Sequence, residues 1–363
     1  MTLRYGVIGA GVVAPLHLEA IAALDDVELV GICALDAAQV EARVQEFGGT
    51  AFLDHRELLA TEPDVVVICV PHPAHPALAI DALEHGAHVL VEKPLAVEAR
   101  EADAMIAASE RTGRLLGVCF QHRFRPVIAA ARDLIAAGRL GALVRVSVSD
   151  PWYRPESYYA TASWRGTWNG EGGGVLMNQA PHTLDLLCHL AGPPATVWGR
   201  ARRRSQPMEA EDTATALLEY DDGAVGTLAV STTEAGVQRI ELVGDRGRIE
   251  IVGESLRFER YEPALSEHLR TAPGMFDAPA VAQEDVALPA GRGDHRDVHE
   301  DFADAVRTGR EPRVPAREAR WSLELANAIV LSTHTGLPVP LPVDRDAYAD
   351  VLAGLRAGTI VTP

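Results

Sequence analysis

The sequence predicts an α/β protein of two domains, and three observations carry this prediction. A chain of 363 residues is long enough for two domains of ordinary size. The first 120 residues alternate short apolar runs with helical segments, which is typical of a parallel sheet doubly wound by helices. After residue 122 the strand-like runs lengthen and few helices separate them. We expect an α/β domain over 1–122 and an α+β domain with a largely antiparallel sheet over 123–363.

The elements of the first domain follow from its apolar runs and from the residues that punctuate them. Apolar runs predict strands over 4–8, 27–33, 64–70, 88–91 and 115–120. Apolar residues at helical spacing predict helices over 14–24, 37–47, 77–85 and 98–112. Gly86 and Gly113 end two of these helices, and Pro71 ends a strand. Strands that alternate with helices need crossover connections, so the sheet should be parallel and covered on both faces.

The second domain shows a different pattern. After a linking helix over 126–137, strands are predicted over 142–149, 195–202, 213–220, 224–232, 239–243 and 248–252. Turn residues at 221–223 and 244–247 predict two hairpins. Helices are predicted over 174–190, 295–308 and 316–335, and a surface loop over 263–294. We expect an antiparallel sheet with helices on one face.

Composition and charge exclude several classes of protein. Lys and Arg total 33 and Asp and Glu total 51, so the formal net charge is −18. This charge repels nucleic acids and anionic membranes, although a local basic pocket can still bind an anionic substrate. No apolar run reaches the roughly 18 residues of a membrane span, and the chain start lacks the pattern of a secretion signal. The four cysteines form no CxxC pair, which favours a reducing cytoplasm over a disulfide framework or zinc knuckle.

A glycine-rich turn directly follows the first predicted strand and opens a helix. Its sequence is GxGxxA, from Gly9 through Gly11, Val12 and Val13 to Ala14. The first glycine allows a tight turn, the second lets the backbone approach a pyrophosphate, and the alanine lets helix and strand pack closely. The helix start then offers N–H groups and a positive dipole end to phosphates. The pattern predicts a Rossmann dinucleotide site; an unoccupied tight turn is the alternative.

The choice between NAD and NADP depends on the residues after the second strand. A carboxylate at that place accepts the ribose hydroxyls of NAD. Ala34 stands directly after the strand, and the first acidic residue is Asp36. No basic residue precedes Arg43 that would bind a 2′-phosphate. NAD is therefore favoured and NADP stays open, while Asp36 is equally explained as a helix cap.

Two motifs carry residues suited to catalysis. Glu92 and Lys93, followed by a proline, end the fourth long strand, where ligands bind in open α/β sheets. An enclosed lysine there stabilises an alcohol or carbonyl oxygen, although a solvated surface lysine is the commoner case. A second motif begins with three glycines at 172–174 and continues through Asn178 to His182 and Asp185. On a helix these three side chains share a face, and histidine is a general base near neutral pH.

Two features of the second motif leave its interpretation open. Pro181 is unfavourable within a helix, so it should kink the helix or mark irregular backbone. Taken alone, His182 is as readily a buried structural histidine as a base. The histidines at positions 72, 75, 85 and 88 lie on different predicted elements, so we expect no metal site.

These motifs together resemble the Gfo/Idh/MocA family, the group of glucose–fructose oxidoreductase and inositol dehydrogenase. The resemblance covers nearly the whole chain, with matching segments at 6–17, 65–75, 88–96, 170–187 and 295–315. It implies a Rossmann domain followed by a domain with an open-faced sheet. It also implies NAD(P)-dependent oxidation or reduction of a sugar, polyol or related secondary alcohol.

The resemblance assigns roles to single residues. Lys93 matches the catalytic lysine of the family, and His182 matches its general acid/base. Asn178 stands where many members have an aspartate that pairs with this histidine, and a neutral amide does not stabilise an imidazolium as a carboxylate does. The implied cofactor contacts are Gly9, Gly11, Val12, Val13, Asp36, Pro71, His75, Glu92, Lys93 and Gln121, with Arg123 in the same segment as Gln121.

Aromatic residues are concentrated between positions 152 and 168 in a protein with only 5% aromatic residues. Sugar rings stack on aromatic faces, so Tyr153 and Trp164 are candidate substrate contacts, with a core or subunit contact as the alternative. Arg165 in this segment is a candidate ligand for substrate hydroxyls or a carboxylate. With Asn178 and Asp185, these residues complete the predicted substrate site.

The sequence thus predicts a cytoplasmic enzyme that transfers hydride between a nicotinamide cofactor and a secondary hydroxyl of a sugar, glycoside or cyclitol. One alternative is a redox-neutral, NAD-dependent glycoside hydrolase on the same fold. Another is a non-catalytic NAD-binding sensor. The exposed face of an open sheet needs a cover, so a homodimer or homotetramer through the C-terminal sheet is expected, with neither nucleic acid nor membrane as partner.

Overall fold

The computed structural model describes residues 2–363, and the chain divides into two compact units. Unit 1 comprises Met1–Phe124, Gly170–Gly172 and Arg292–Leu323. Unit 2 comprises Arg125–Asn169, Gly173–Gly291 and Glu324–Pro363. The N-terminal unit therefore extends past residue 122 and recruits two segments from the later chain.

Unit 1 is built on a six-stranded parallel sheet in the order β3-β2-β1-β4-β5-β6. The strands are β1 Leu3–Ile8, β2 Val27–Cys33, β3 Thr50–Phe52, β4 Val65–Ile68, β5 His88–Glu92 and β6 Leu116–Cys119. The helices are α1 Ala14–Ala22, α2 Ala37–Phe47, α3 His55–Leu59, α4 His75–Glu84, α5 Ala99–Thr112 and, from the later chain, α10 His295–Thr308. This confirms the predicted doubly wound parallel sheet.

The central strands form because β-branched residues can be buried on both faces of a parallel sheet. All four residues of β4, three valines and an isoleucine, are buried, and so are the last four residues of β5. Sequence analysis missed β3 and α3, because elements of three and five residues are too short to show a period.

Unit 2 contains a nine-stranded sheet in the order β14-β13-β12-β11-β7-β10-β9-β8-β15. The strands are β7 Leu143–Pro151, β8 Thr196–Arg202, β9 Thr213–Glu219, β10 Val225–Ser231, β11 Arg239–Gly244, β12 Gly247–Val252, β13 Ser255–Glu262, β14 Ala280–Glu284 and β15 Val339–Pro340. Neighbouring strands are antiparallel except β7 and β10. Both predicted hairpins, β9–β10 and β11–β12, are confirmed.

The sheet of unit 2 has one covered face and one exposed face. Along β8, β9 and β10, buried and exposed residues alternate. The helices of unit 2 are α6 Pro126–Ala136, α7 Glu156–Tyr159, α8 Pro181–Ala191, α9 Leu265–Thr271 and α12 Arg345–Arg356, with α11 Ala316–Thr335 continuing from unit 1. No helix within residues 2–363 combines the length and apolarity that a membrane crossing requires.

Two predictions for unit 2 were wrong. The helix expected over 174–190 begins only at Pro181, because proline lacks an N–H and is tolerated in the first helical turn but not in the interior. Asn178 therefore lies in a turn before α8 and not on the helix with His182. The expected loop over 263–294 contains α9 and β14, which pairs with β13.

Candidate active site

The glycine turn of unit 1 has a shape that only glycine permits. Gly9 adopts a φ of +122°, and a Cβ there would lie 2.3 Å from the carbonyl oxygen of Cys69. Gly11 has open space around the position of a Cβ, with nothing within 4 Å. Val12 is 85% exposed, and Val13 is also exposed. The turn thus presents bare backbone to solvent, as the approach of a pyrophosphate requires.

The start of α1 is suited to an anion. Its N-cap residue, Val13, makes no side-chain cap, and the first turn contains no acidic residue. The N–H groups of Ala14 and Leu16 already donate to the carbonyl oxygens of Gly11 and Val13, so the positive end of the helix dipole is the feature that favours phosphate oxygens here. These residues fit the diphosphate of a dinucleotide.

Asp36 caps helix α2 in the structure. Its Oδ1 accepts from the backbone N–H groups of Ala38 and Gln39 at 3.0 and 3.2 Å, and Oδ2 accepts from the Gln39 side chain at 2.8 Å. The residue is exposed at the end of β2. Its contact with a cofactor ribose stays a prediction beside this cap.

His75 is buried, in contrast to exposed Pro71 at the end of β4. Its ring nitrogens lie 2.9 Å from the carbonyl oxygens of Val70 and Pro94. Burial lowers the pKa of His75, against the backbone hydrogen bonds, which raise it. The imidazole thus connects the loop after β4 with the segment after Lys93. Any contribution of His75 to a cofactor site is therefore to fix the conformation of this loop.

Lys93 follows β5 directly and is half-buried. Its backbone N–H donates to Oε2 of Glu92 at 3.0 Å. The other carboxylate oxygen accepts from His17 Nε2 at 3.0 Å and from His295 Nε2 at 3.3 Å. Helices α1 and α10 therefore hold Glu92 from two sides, and Glu92 in turn holds the backbone at Lys93.

A fourth residue extends this arrangement, which we call the Glu92 network: His17, Glu92, His295 and His299. Because Glu92 accepts from His17 Nε2, the Nδ1 of His17 accepts from His299 Nε2, 3.0 Å away. Burial lowers the pKa of both His17 and His299, which keeps them neutral. Burial by itself raises the pKa of Glu92, but the hydrogen bonds from His17 and His295 outweigh it and hold that pKa well below its usual range.

Sequence analysis missed this network. His17 and Glu92 are 75 positions apart, and His295 is 203 positions from Glu92. One signal was present: His295 and His299 are four apart on one helix and so share a face. The ligand atoms of His17, Glu92, Cys119 and His295 all lie within 4.8 Å of one another, so this set could also hold a transition-metal ion.

Gln121 and Arg123 begin a short 3₁₀ helix after β6. The Oε1 atom of Gln121 is buried and has no hydrogen-bond partner within residues 2–363. Arg123 is buried and donates to Glu318 at 2.9 Å. Arg123 is thus held by an ion pair inside unit 1, whereas Gln121 retains an unused acceptor.

In unit 2, His182 lies in the first turn of α8 and is 6% exposed. The ring of Trp152 stacks on its imidazole, with ring centres 6.4 Å apart and an interplanar angle of 25°. Asp150 accepts from the indole N–H of Trp152 at 2.6 Å and from the Gln238 side chain at 2.6 Å. The hydroxyl of Thr183, next to His182, also donates to Asp150. A buried carboxylate thus orients both the indole and the start of α8.

The predicted substrate residues Arg165 and Asn178 meet at Tyr158. The phenolic oxygen accepts from Arg165 Nη1 at 2.6 Å and from Asn178 Nδ2 at 3.1 Å. Gln179 Nε2 lies 3.4 Å from the same oxygen. The guanidinium of Arg154 lies 5.2 Å from the centre of the ring. We call these five residues the Tyr158 cluster.

The remaining predicted substrate residues have different exposures. Trp164 packs under Arg165, with 4.6 Å from the guanidinium carbon to the ring centre. Tyr153 is exposed and lies beside the cluster in the chain. Asp185 is only 1% exposed, so in this conformation it offers no surface to a substrate.

Family models match both parts of the chain. Residues 3–120 match the model described as an oxidoreductase family with an NAD-binding Rossmann fold. Residues 128–250 match the model of the GFO/IDH/MocA C-terminal domain. The two matches together leave only the last third of the chain and a short linker outside.

Individual relatives are dehydrogenases. D-glucoside 3-dehydrogenase of Escherichia coli (strain K12) is 32% identical over 198 residues, 53% of this chain and 55% of that protein. The chain thus spans little more than half the length of this relative. The scyllo-inositol 2-dehydrogenase (NAD(+)) of Bacillus subtilis (strain 168) is 28% identical over 291 residues, 78% of this chain and 79% of that protein.

A solved structure resembles the whole chain. The WlbA dehydrogenase from Bordetella pertussis, in complex with NADH and UDP-GlcNAcA, is 29% identical with a TM-score of 0.80. The alignment covers 95% of this chain and 100% of that one. The likeness extends over both units.

Proposed function

Because the chain belongs to the Gfo/Idh/MocA family of NAD-binding oxidoreductases, we propose that it moves a hydride between a nicotinamide cofactor and a secondary hydroxyl of a sugar, glycoside or cyclitol. The observation that carries this proposal is the placement of His182, a buried imidazole whose ring plane is restricted by stacking on Trp152, the indole N–H of which donates to Asp150. A general base needs such a fixed orientation toward the proton that it removes.

The cofactor would be held by Gly9, Gly11, Val12, Val13, Asp36, Pro71, His75, Glu92, Lys93 and Gln121. The bare backbone at the glycine turn and the uncapped start of α1 support the diphosphate contacts. When bound, the nicotinamide supplies the hydride acceptor or donor. NAD is the favoured cofactor because Asp36 is acidic and no basic residue stands close after it, while NADP stays a second possibility for the test.

The catalytic roles fall to Lys93 and His182. His182 accepts the proton of the substrate hydroxyl, and the ammonium of Lys93 stabilises the negative charge that develops on the same oxygen. The carbon bearing that oxygen loses hydride and becomes a ketone, so one hydroxyl yields one proton and one hydride. Asn178 orients a substrate hydroxyl without contributing charge.

The names of the relatives support the substrate class. One acts on a glucoside and another on scyllo-inositol, so both work on ring secondary hydroxyls. The exposed Tyr153 and the Trp164 ring offer aromatic surface near the Tyr158 cluster, which suits the apolar face of a sugar ring.

Reduced-nicotinamide absorbance tests this function. Purified protein is assayed with NAD and with NADP over inositols, aldoses, glycosides and sugar acids, beside His182→Ala. General-base removal should lower kcat by about 10²- to 10⁴-fold, with little change in cofactor affinity. Equal turnover in the variant would remove His182 from the mechanism. Sugar release from aryl glycosides without net NADH would instead identify a hydrolase, and a cofactor-dependent rise in Tm alone would identify a sensor.

The exposed sheet face supports a homodimer or homotetramer. Trp198 pairs with Leu217 across β8 and β9, and the two side chains are each 52% exposed. Val225 on β10 adds a third exposed apolar residue. We expect a second copy to cover this face, so Trp198→Glu should shift the mass in light scattering from oligomer to monomer. A monomeric parent protein contradicts this expectation.

The four cysteines are free thiols and all are buried. This state fits the reducing cytoplasm that we propose for the protein.

A further inference from the structure

The Tyr158 cluster contains two cations that no carboxylate neutralises. Within the described part of the chain, neither Arg154 nor Arg165 has a carboxylate oxygen within 4.0 Å. Both guanidinium groups pack on the same aromatic ring, at 5.2 and 4.3 Å from its centre. Two positive charges therefore lie close to one aromatic ring in a protein of net charge −18, and an anion bound beside this ring would be attracted by both.

More N–H groups point at the oxygen of Tyr158 than its lone pairs can accept, although Oε1 of Gln179 is itself a buried acceptor without a partner among the described residues. A phenolic oxygen has two lone pairs, yet N–H groups of Arg165, Asn178 and Gln179 all point at the oxygen of Tyr158. Arg165 donates its Nε–H to the hydroxyl of Thr161 at 3.0 Å and one Nη1–H to the oxygen of Tyr158. Its other three N–H groups lie on Nη1 and Nη2, the pair of nitrogens that binds a carboxylate end on.

The cluster is connected to His182 through a single side chain. Trp152 stacks on the imidazole of His182, and the guanidinium of Arg154 lies 5.5 Å from the centre of the same indole. Of the cluster, Arg165 alone lines a cavity of about 690 Å³ in unit 2, together with Arg203 and the carboxylates of Glu156 and Glu209. This volume is in the usual range of small-molecule sites.

We propose that Arg154 and Arg165 bind a carboxylate of the substrate, so that the preferred substrate is a sugar acid rather than a neutral sugar. A planar carboxylate matches the free end of the Arg165 fork, and its single negative charge offsets part of the positive charge of the two guanidinium groups. The proposal rests on the function assigned above, since it names the substrate class of the same site. The oxidised position remains a secondary hydroxyl, and the carboxylate takes no part in the redox step.

Matched substrate pairs test this specificity. We compare kcat/KM with NAD for D-glucuronate against D-glucose and for D-gluconate against D-sorbitol, with glucuronate methyl ester as the uncharged analogue. The acid should exceed its neutral partner by at least about tenfold, because a hydrogen bond to a charged group is worth this much. Equal values for acid and neutral partner, or for acid and ester, overturn the proposal. A preference for glucose 6-phosphate over the acids overturns it as well, in favour of a phosphate site.

Variants of Arg165 locate the effect. Arg165→Met should lower the ratio of kcat/KM for acid over neutral substrate by about 10- to 100-fold. The ratio for Arg165→Lys should lie between those of the parent protein and Arg165→Met, since lysine keeps the charge but lacks the two-pronged guanidinium. Arg270→Met, on the exposed side of α9, removes the same charge elsewhere and should leave the ratio unchanged. An unchanged ratio in Arg165→Met contradicts the assignment.

Binding separates this proposal from the proposed oxidation. Calorimetric titration of the NADH-loaded protein with D-glucuronate and with D-glucose reports the carboxylate site even without turnover. The site is supported if D-glucuronate binds, D-glucose does not, and Arg165→Met no longer binds the acid. If the bound acid is not turned over, that result counts against the proposed oxidation and not against the site. Failure of every acid to bind overturns the site, and turnover of neutral sugars would then leave the oxidation standing.

Discussion

The Glu92 network of unit 1 and the Tyr158 cluster of unit 2 use hydrogen bonds in opposite ways. In the network, both oxygens of one buried carboxylate accept hydrogen bonds from the protein, and these bonds hold the pKa of Glu92 well below its usual range although burial raises it. In the cluster, three N–H groups point at one phenolic oxygen, and Arg154, Tyr158 and Arg165 are all partly exposed. The carboxylate of the first arrangement has both oxygens paired without a ligand, whereas Arg165 of the second retains N–H groups that an outside acceptor can use.

This difference predicts a structural role for the Glu92 network and a ligand-binding role for the Tyr158 cluster. A buried carboxylate with both oxygens paired positions the backbone, here at Lys93, so its removal should lower the stability of the fold. A half-exposed cluster of hydrogen-bond donors is suited to binding a ligand, so its removal should lower the affinity for that ligand. Substitutions that separate stability from activity therefore test the comparison directly.

The largest effect is expected from Glu92→Leu. It leaves the N–H groups of His17, His295 and Lys93 without their acceptor, and each buried unsatisfied donor costs about 1–3 kcal/mol. We expect the free energy of unfolding in urea to fall by about 3 kcal/mol or more. Glu267→Leu, an exposed glutamate on α9, is the control and should change it by less than about 0.5 kcal/mol. A similar small change in both variants would falsify the structural role of the network.

A second effect concerns pH. Burial, with the charges of His75 and Lys93, lowers the pKa of His72 to about 3. Histidine in an unfolded chain has a pKa near 6.5. Below that pH, His72 therefore binds a proton in the unfolded state but stays neutral in the native state. Stability should fall by about 1.4 kcal/mol per pH unit from this residue as the pH drops from 6.5 toward 3.

The variant His72→Asn isolates this contribution. It keeps a side-chain N–H for the carbonyl of Glu171, which His72 Nδ1 contacts at 3.0 Å. Thermal unfolding between pH 7 and 5 should show a shallower loss of stability in this variant than in the parent protein. Gln283→Asn, at an exposed and uncharged position of β14, should retain the parent slope. Identical slopes in all three proteins contradict the assignment.

The smallest change in stability is expected from Tyr158→Phe. It removes the oxygen on which Arg165 and Asn178 converge, but in a half-exposed place where water can replace it. We expect the free energy of unfolding to change by less than about 1 kcal/mol. In the same variant kcat/KM should fall about tenfold or more, because Arg165 loses its orientation. Tyr261→Phe, on β13, is the matched control. A loss of stability without a loss of activity reverses the comparison.

Much of the fold was predictable because its signals are local. The bounds of β2, α2, α10 and α11 agree with the prediction to the residue, since each is framed by a cap, a glycine or a clear period. The glycine turn was equally readable, because its chemistry depends on six consecutive residues. The helix over 174–190 was misjudged although Pro181 was recognised as unfavourable, since the glycine segment before it is folded by Glu211, whose Oε1 accepts from Gly174 and Leu176 at 3.0 Å.

The site was predictable only in part, because some of its contacts are local in sequence and others join distant parts of the chain. Lys93 and His182 were assigned through motifs, and their roles stay predictions. The Glu92 network and the stacking of Trp152 on His182 were not foreseen, because they join residues from separate elements. Arg165 was a candidate among several, and the convergence of two guanidinium groups on Tyr158 distinguishes it.

The sequence by itself determined the class of the fold, the strand and helix order, the dinucleotide turn and the family. These follow from periodicity and from short motifs, in which residues act on their neighbours along the chain. Only the tertiary structure decided which histidines hold Glu92, where α8 begins, and how two arginines meet on one tyrosine. Such contacts depend on how strands pair and helices pack, and this places residues from distant parts of the chain within hydrogen-bond distance.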